Sequence, residues 1–385
     1  MMNEIPLSVP NLNIEIVDNL RECIETGWVS TSGRFIREFE ERFSEYTGVP
    51  DAVSCQSGTA GLHIGLSILG VEAGDEVIVP TLTFIGAVNP VKYLGAFPVF
   101  MDCDDSLCID PIKLAMFCKK ECSFSEGVLR NKKTERAVKA ILPVHVFGNP
   151  ADMEAIMEVA ERYGLKVLED ATESLGSSWA VGRYKGDHTG TVGDAGVFSF
   201  NANKIITTGG GGMIVFKNKA FLDKARYLTT TAKDDALYFV HNEVGYNYRM
   251  LNIQAAIGVS QIAELPGFIE TKIENYKLYN SLLDGVPGLR LLPFRDNTKA
   301  NHWFYSLLTE DRDRLLNYLL EKKIQCRPVW KLIHEQKPYA SEQAYSIEKA
   351  TYYDARILNL PCSSNLTEED IRYICKAIAD FNREI

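Results

Sequence analysis

The polar and apolar positions of this chain fall into two rhythms. Short unbroken apolar runs recur through its middle: EVIVP (76–80), FPVFMD (97–102), VKAILPVHVFG (138–148), LKVLED (165–170), AGVFSF (195–200) and GGMIVF (211–216). They are branched and continuous rather than alternating, the pattern of strands buried on both faces of a sheet. Between them lie stretches of helical period, at 59–69, 111–119 and 151–163; Asp110-Pro111 ahead of the second supplies a cap and a first-turn proline. Strand–helix alternation of this kind predicts an α/β layer around a mostly parallel sheet. The stretch 122–135, CSFSEGVLRNKKTE, is polar and unpatterned and reads as a surface loop. From about 249 to 283 the period turns helical and long, with Pro266-Gly267 expected to interrupt or bend it. Beyond GVPGL (285–289), short apolar runs alternate with helices near 311–323 and 367–382, a compact α+β unit.

Composition narrows the function classes. The chain has 385 residues, 46% of them hydrophobic, enough for one large core and a smaller one. No apolar run approaches the roughly 20 residues that cross a bilayer, and the amino-terminal stretch lacks the pattern of a signal peptide. A soluble, cytoplasmic protein with no membrane partner is expected. The net charge is −10 with lysine and arginine dispersed, which argues against a nucleic-acid surface. Nine scattered cysteines are not a disulfide framework, and the Cys118/Cys122 pair has no second pair at zinc spacing, so no metal is expected.

Three features sit at the carboxyl ends of predicted strands, where parallel sheets place ligands. Ser57-Gly58-Thr59 opens a helix; it is an anion site by its backbone amides, or an ordinary cap. Glu169-Asp170 ends a strand, and a buried acid there needs a partner. Lys204, in SFNANKIITTGGGG (199–212), follows another strand, with Ser199 upstream. It is a solvated lysine, or one whose depressed pKa frees its amine to attack a carbonyl. One ligand satisfies all three, with a phosphate for the helix, a ring nitrogen for the acid and an aldehyde for the lysine: pyridoxal 5'-phosphate.

The stretches GDEVIVPTLTFIGAVNPV, PVHVFGNPADM, LEDATESLGS, FSFNANKIITTGGGGM and GYNYRMLNIQAAIGVSQ resemble the DegT/StrS-type sugar-nucleotide aminotransferases. The resemblance runs from about residue 25 to the carboxyl terminus. It implies the aspartate-aminotransferase-like fold type I, with a large domain over 1–265 built on a mostly parallel seven-stranded sheet. A smaller α+β domain over 266–385 would complete it, the first 25 or so residues packing on that smaller part. It implies that Lys204 forms the Schiff base with the cofactor and shuttles the proton, and that Asp170 pairs with the pyridine nitrogen. Glu173 would stand near the cofactor hydroxyl and the sugar. Ser57, Gly58, Thr59 and Ser199 would hold the phosphate, and Phe84 would lie on the ring face. Asn247 would reach the neighbouring subunit's phosphate, making the active unit a homodimer with shared sites. Trp28, Ser30, Arg327, Trp330 and His334, with Arg249, would contact the sugar nucleotide.

TGWVSTSGRF, NKIITTGGGGM and HNEVGYNYR are most similar to the branch that aminates C4 of a nucleotide-linked 4-keto-6-deoxy-N-acetylhexosamine, for legionaminic acid or bacillosamine, with glutamate as donor. A different keto sugar nucleotide, perosamine-type or 3-keto, is the alternative. A related dehydratase would carry histidine in place of the lysine, and a regulatory homologue would have lost the cofactor residues. Two departures stand out: 177–190 is longer than usual, and Ala202 replaces the glycine of a common NGNK.

Overall fold

The computed structural model describes residues 4–384; residues 1–3 and 385, the outer ends of the two expected domains, lie outside the described residues. The apolar runs become the strands of one large sheet. Seven of them lie in the order Val53–Cys55, Gly212–Phe216, Ala195–Ser199, Lys166–Asp170, Ala137–Ile141, Glu76–Pro80, Phe97–Met101. Gly212–Phe216 runs antiparallel to both neighbours, and every other pairing in the row is parallel. Val77, Ile78 and Val79 are fully buried, as expected for strands covered on both faces. Among the described residues the sheet has ten strands. Gln343–Tyr345, from the carboxyl-terminal part, joins its edge in parallel beside Phe97–Met101.

The hairpin Cys122–Ser125/Val128–Asn131 extends the sheet from Ala137–Ile141. This corrects the surface-loop reading of 122–135. The hairpin turns through Glu126 and Gly127, both at positive φ, the geometry that matches the twist of two antiparallel strands. The run 138–148 is also shorter as a strand than expected: it ends at Ile141 and closes in a 3-10 turn, Val146–Gly148. The helices Ile16–Thr26, Arg34–Thr47, Ile85–Tyr93 and Lys219–Thr229 add to those expected.

A second sheet, antiparallel throughout, has the order Leu289–Leu291, Tyr305–Thr309, Ile357–Leu360, Arg327–Pro328. Helix Asn252–Leu283 reaches from the first sheet to the second without a break, so Pro266 does not interrupt it. Proline removes one ladder hydrogen bond, but Ile262 and Leu265 before it and Lys272 and Tyr279 after it are buried and hold both halves in place. The amino-terminal segment docks on the second sheet's side. Ile5 bridges to Ile324, and the Cys362 amide donates to the Leu7 carbonyl. Among the described residues no helix is long and apolar enough to cross a membrane.

Candidate active site

The parallel strands bring their carboxyl ends to one edge of the large sheet, and a pocket of about 350 Å³ opens there. Asp170 and Ser199 are the last residues of their strands, and Ser199 stands opposite Gly212. Ser57, Gly58, Thr59, Phe84, Asp170, Glu173, Ser199, Lys204 and Trp330 all line this pocket.

Ser57 caps helix Gly58–Ile68 by accepting the Ala60 amide on its Oγ at 3.1 Å. Its hydroxyl is therefore the ordinary cap, while the first two helical residues, Gly58 and Thr59, line the pocket. A Cβ on Gly58 would lie 2.7 Å from Thr172 Cγ2 and 3.1 Å from Ser199 Cβ. Only glycine lets this helix start come so close to the two strand ends.

Asp170 is buried and accepts the Thr172 amide at 3.0 Å. Burial raises its carboxyl above the usual range, and the Thr172 contacts and the Lys204 charge pull against that. An acid in this position gains from a protonated ring nitrogen as partner. Burial likewise pushes the Lys204 amine down, opposed by the Glu173 and Asp170 carboxylates. Glu173 Oε1 lies 3.7 Å from Lys204 Nζ, too long for a hydrogen bond, while Oε2 accepts the Phe147 amide at 2.9 Å. Burial pushes the Glu173 carboxyl up to about 7. Thr83 also lines the pocket, and its buried hydroxyl oxygen has no partner among the described residues. A helix start, a buried acid, a buried amine and an orphaned hydroxyl around one cavity fit pyridoxal phosphate by donor chemistry and by size.

The structure keeps several expected residues out of the pocket. Arg249 is buried, its Nη1 2.7 Å from Glu40 Oε1 and 3.2 Å from the Ser54 carbonyl, so its charge is consumed inside the fold. His334 places Nδ1 2.6 Å from Thr81 Oγ1 and packs on Phe100. Trp28 and Ser30 are exposed, and their carbonyls accept from Asn252. Arg327 is exposed on its short strand. Asn247 is exposed too, bridged to Thr230. The first five do not line the pocket, and Asn247, expected at the neighbouring subunit's site, does not line its own.

His145 is wholly buried, its Nδ1 accepting the Ala151 amide, which leaves Nε2–H to donate to Glu169 at 2.8 Å. The long segment 177–190 turns away from the pocket, pairing Ser178–Trp179 with Thr298–Lys299. Ala202 does not take a positive φ, so its methyl costs the backbone nothing.

Sequence reasoning passed over Trp303, Phe304, Thr172, Asn201 and Asn203, which also line the pocket. Trp303 and Phe304 come from the carboxyl-terminal unit, 99 and 100 residues beyond the lysine. Only the aromatic density of NHWFY hinted at them. Trp303 Nε1 donates to the Asn203 carbonyl at 2.8 Å, and Phe147 packs on Phe304 and Trp330.

A family model for the DegT/DnrJ/EryC1/StrS aminotransferase family matches residues 10–379. The chain is 36% identical over 383 residues to the GDP-perosamine synthase of Escherichia coli O157:H7, covering 99% of both proteins. It is also 36% identical over 388 residues to the GDP-perosamine synthase of Caulobacter vibrioides, covering 98% of this chain and 99% of that one. Among solved structures, the aminotransferase TlmJ from Streptoalloteichus hindustanus superposes with a TM-score of 0.88 at 27% identity, covering 98% of each chain. DesV of S. venezuelae, solved in complex with a ketimine intermediate, gives 0.87 at 26% identity over 99% of this chain and 100% of that one. The match of fold and family model over nearly the full length has one meaning: the chain belongs to the DegT/DnrJ/EryC1/StrS aminotransferase family and is a pyridoxal phosphate-dependent transaminase of fold type I.

Proposed function

We propose that this transaminase moves an amino group from glutamate to C4 of a nucleotide-linked 4-keto-6-deoxyhexose, and that Lys204 and Asp170 are the residues on which the reaction turns. The observation that carries the reading is the pairing of a buried amine and a buried acid in one pocket at the carboxyl edge of the sheet.

Bound pyridoxal phosphate supplies an aldehyde and an electron-withdrawing ring that takes up negative charge from a neighbouring carbon. The protein supplies the rest. Asp170 would accept from the ring nitrogen and keep it protonated. Gly58 and Thr59 offer backbone amides to the phosphate at a helix start, and Ser199 adds its hydroxyl. Phe84, half out of the wall, would cover a ring face. Lys204 Nζ takes the proton from the α-carbon of glutamate and later delivers one to C4 of the sugar. Its lowered basicity suits both tasks. Glu173, whose carboxyl burial pushes up to about 7, lies 3.7 Å from that amine. The pocket's outer wall of Phe84, Phe304 and Trp330 offers apolar surface to a sugar lacking its 6-hydroxyl.

The active unit in this reading is a homodimer. Leu237, Tyr238, Phe239 and Val244 are strongly exposed close in sequence to Asn247, a patch that a second copy would cover while Asn247 reached its pocket. Arg327, Trp28 and Ser30 have exposed side chains that remain available to the nucleotide.

The names of the two synthases favour a perosamine-type, GDP-linked acceptor. The stretches TGWVSTSGRF and HNEVGYNYR favour the N-acetylhexosamine acceptor of the legionaminic acid and bacillosamine branch. A panel of GDP-, UDP- and dTDP-linked keto sugars with glutamate, read by mass and NMR, separates them. The expected product carries a new amine at C4 on the GDP-linked sugar. A preference for the UDP-linked N-acetyl sugar selects the second acceptor, while amination at C3 or of no sugar nucleotide overturns the proposal.

A further inference from the structure

Trp303 is fixed at every polar group it owns. Its amide donates to Asn301 Oδ1 at 3.0 Å, its indole Nε1 donates to the Asn203 carbonyl at 2.8 Å, and its carbonyl accepts from the buried Lys272 ammonium at 3.2 Å. The ring stacks on Phe304, centroids 4.1 Å apart, and is 2% exposed. The preceding residue, His302, is held at φ 54 with its ring wedged against Phe294 and Tyr276. A non-glycine residue in the left-handed region persists only where its surroundings dictate it. Asn301 ties the same turn to the opposite wall, its Nδ2 donating to the Glu173 and Leu175 carbonyls.

What this turn presents to the pocket is the face of the indole. Lys204 Nζ lies 4.0 Å from the ring centroid. Glu173 Oε1 lies 3.7 Å from the same nitrogen, with Asp170 the further acid of the pocket. The amine thus has both a π-face and a carboxylate within about 4 Å. The Trp303 indole N–H is bonded to the residue directly before the lysine, so backbone and side chain are registered against one ring.

We propose that Trp303 is a positioning residue for Lys204: its ring face seats the lysine amine whenever that amine is not bonded to cofactor. The seat keeps Nζ aimed into the pocket between proton transfers. This rests on the role of Lys204 proposed above. A tryptophan that merely filled space would leave the lysine's chemistry untouched.

The test begins with cofactor-free protein. Wild type, Trp303→Phe and Trp303→Leu are labelled with trace acetic anhydride, and the Lys204 peptide is quantified against that of exposed Lys185. Trp303→Phe keeps a ring face and is expected within about twofold of wild type. Trp303→Leu loses the attraction of a cation for the ring, and Lys204 should label about three- to fivefold faster at neutral pH. In the loaded enzyme, Trp303→Leu should lower kcat for the glutamate half-reaction about tenfold while KM moves less than threefold, and Trp303→Phe should recover most of it. Global fluorotryptophan incorporation weakens the ring's attraction without changing its shape, and tests the idea even if Trp303→Leu fails to fold. Labelling of Lys204 should rise with fluorine number in wild type and stay flat in Trp303→Phe. Equal labelling in all variants, or no dependence on fluorination, overturns the proposal. Lys204→Ala separates the two readings: turnover in that variant would remove the role of Lys204 itself, whatever Trp303 does.

Discussion

Gly148 is a place where one added methyl should undo much of the pocket's wall. It lies at φ +89, and a Cβ there would stand 1.8 Å from Asn301 Oδ1 and 3.2 Å from the Trp303 amide nitrogen. Asn301 accepts that amide and donates to the Glu173 and Leu175 carbonyls. It is the pin between the pocket's two walls. Gly148→Ala therefore acts twice. The left-handed backbone costs an alanine about 1–2 kcal/mol. Displacing the Asn301 side chain leaves buried groups unpaired, at about 1–3 kcal/mol each where no water reaches them. With one group left unpaired the total is about 2–5 kcal/mol, and more for each further group, a large part of a typical domain's stability. The assay is a thermal and urea unfolding series on wild type, Gly148→Ala, Asn301→Ala and the double variant, all freed of cofactor. If collision with Asn301 is the mechanism, the double variant loses less than the two single losses combined. A single variant within about 1 kcal/mol of wild type, or strict additivity in the double, refutes the reasoning.

Other consequences follow from the buried charges. Glu173 titrates at about 7 in the fold against 4.5 for the ordinary carboxyl; between those values the folded state holds the extra proton, so stability falls as pH rises through that window. The cofactor-free wild type should lose about 3 kcal/mol relative to Glu173→Gln from pH 4.5 to 8, at about 1.4 kcal/mol per unit, and parallel unfolding profiles for the two proteins would contradict it. Arg249→Ala leaves Glu40 buried without its cation and should cost about 3–5 kcal/mol in urea unfolding, with partial recovery in Arg249→Ala/Glu40→Gln. In folded Arg249→Ala enzyme, KM for the sugar nucleotide should stay within about twofold of wild type, whereas a substrate contact would show as a raised KM.

The parts of the site that could be read from sequence are those whose constraints are local. Asp170, Ser199 and Lys204 follow strand-like runs within a few residues, so strand ends placed them at the sheet's carboxyl edge. Ser57-Gly58-Thr59 announced its own helix. The hairpin at 122–131 was missed because its signal is a two-residue turn with only one glycine inside a polar stretch. Pro266 misled because it breaks the local rule for helices while tertiary burial on both sides overrides it. Arg249 and His334 were placed only by the resemblance of the stretches around them to the family. Their partners, Glu40 and Thr81, are more than 200 residues away in sequence, and no local pattern reveals such pairs. Trp303 escaped for the same reason. Its place against Lys204 depends on how the second sheet docks on the first, which periodicity does not encode.

The central claim is that Lys204, rather than any other lysine, carries the cofactor. Lys272 is the informative competitor, since it too is buried with a lowered pKa, yet it donates to the Trp303 and Cys362 carbonyls away from the acid. Borohydride reduction of the loaded enzyme, followed by peptide mass spectrometry, fixes the cofactor wherever it is bonded. The account predicts the added mass on the peptide containing Lys204 and nowhere else. Mass on Lys272 or another lysine, or a loaded protein that borohydride leaves unmodified, would contradict it.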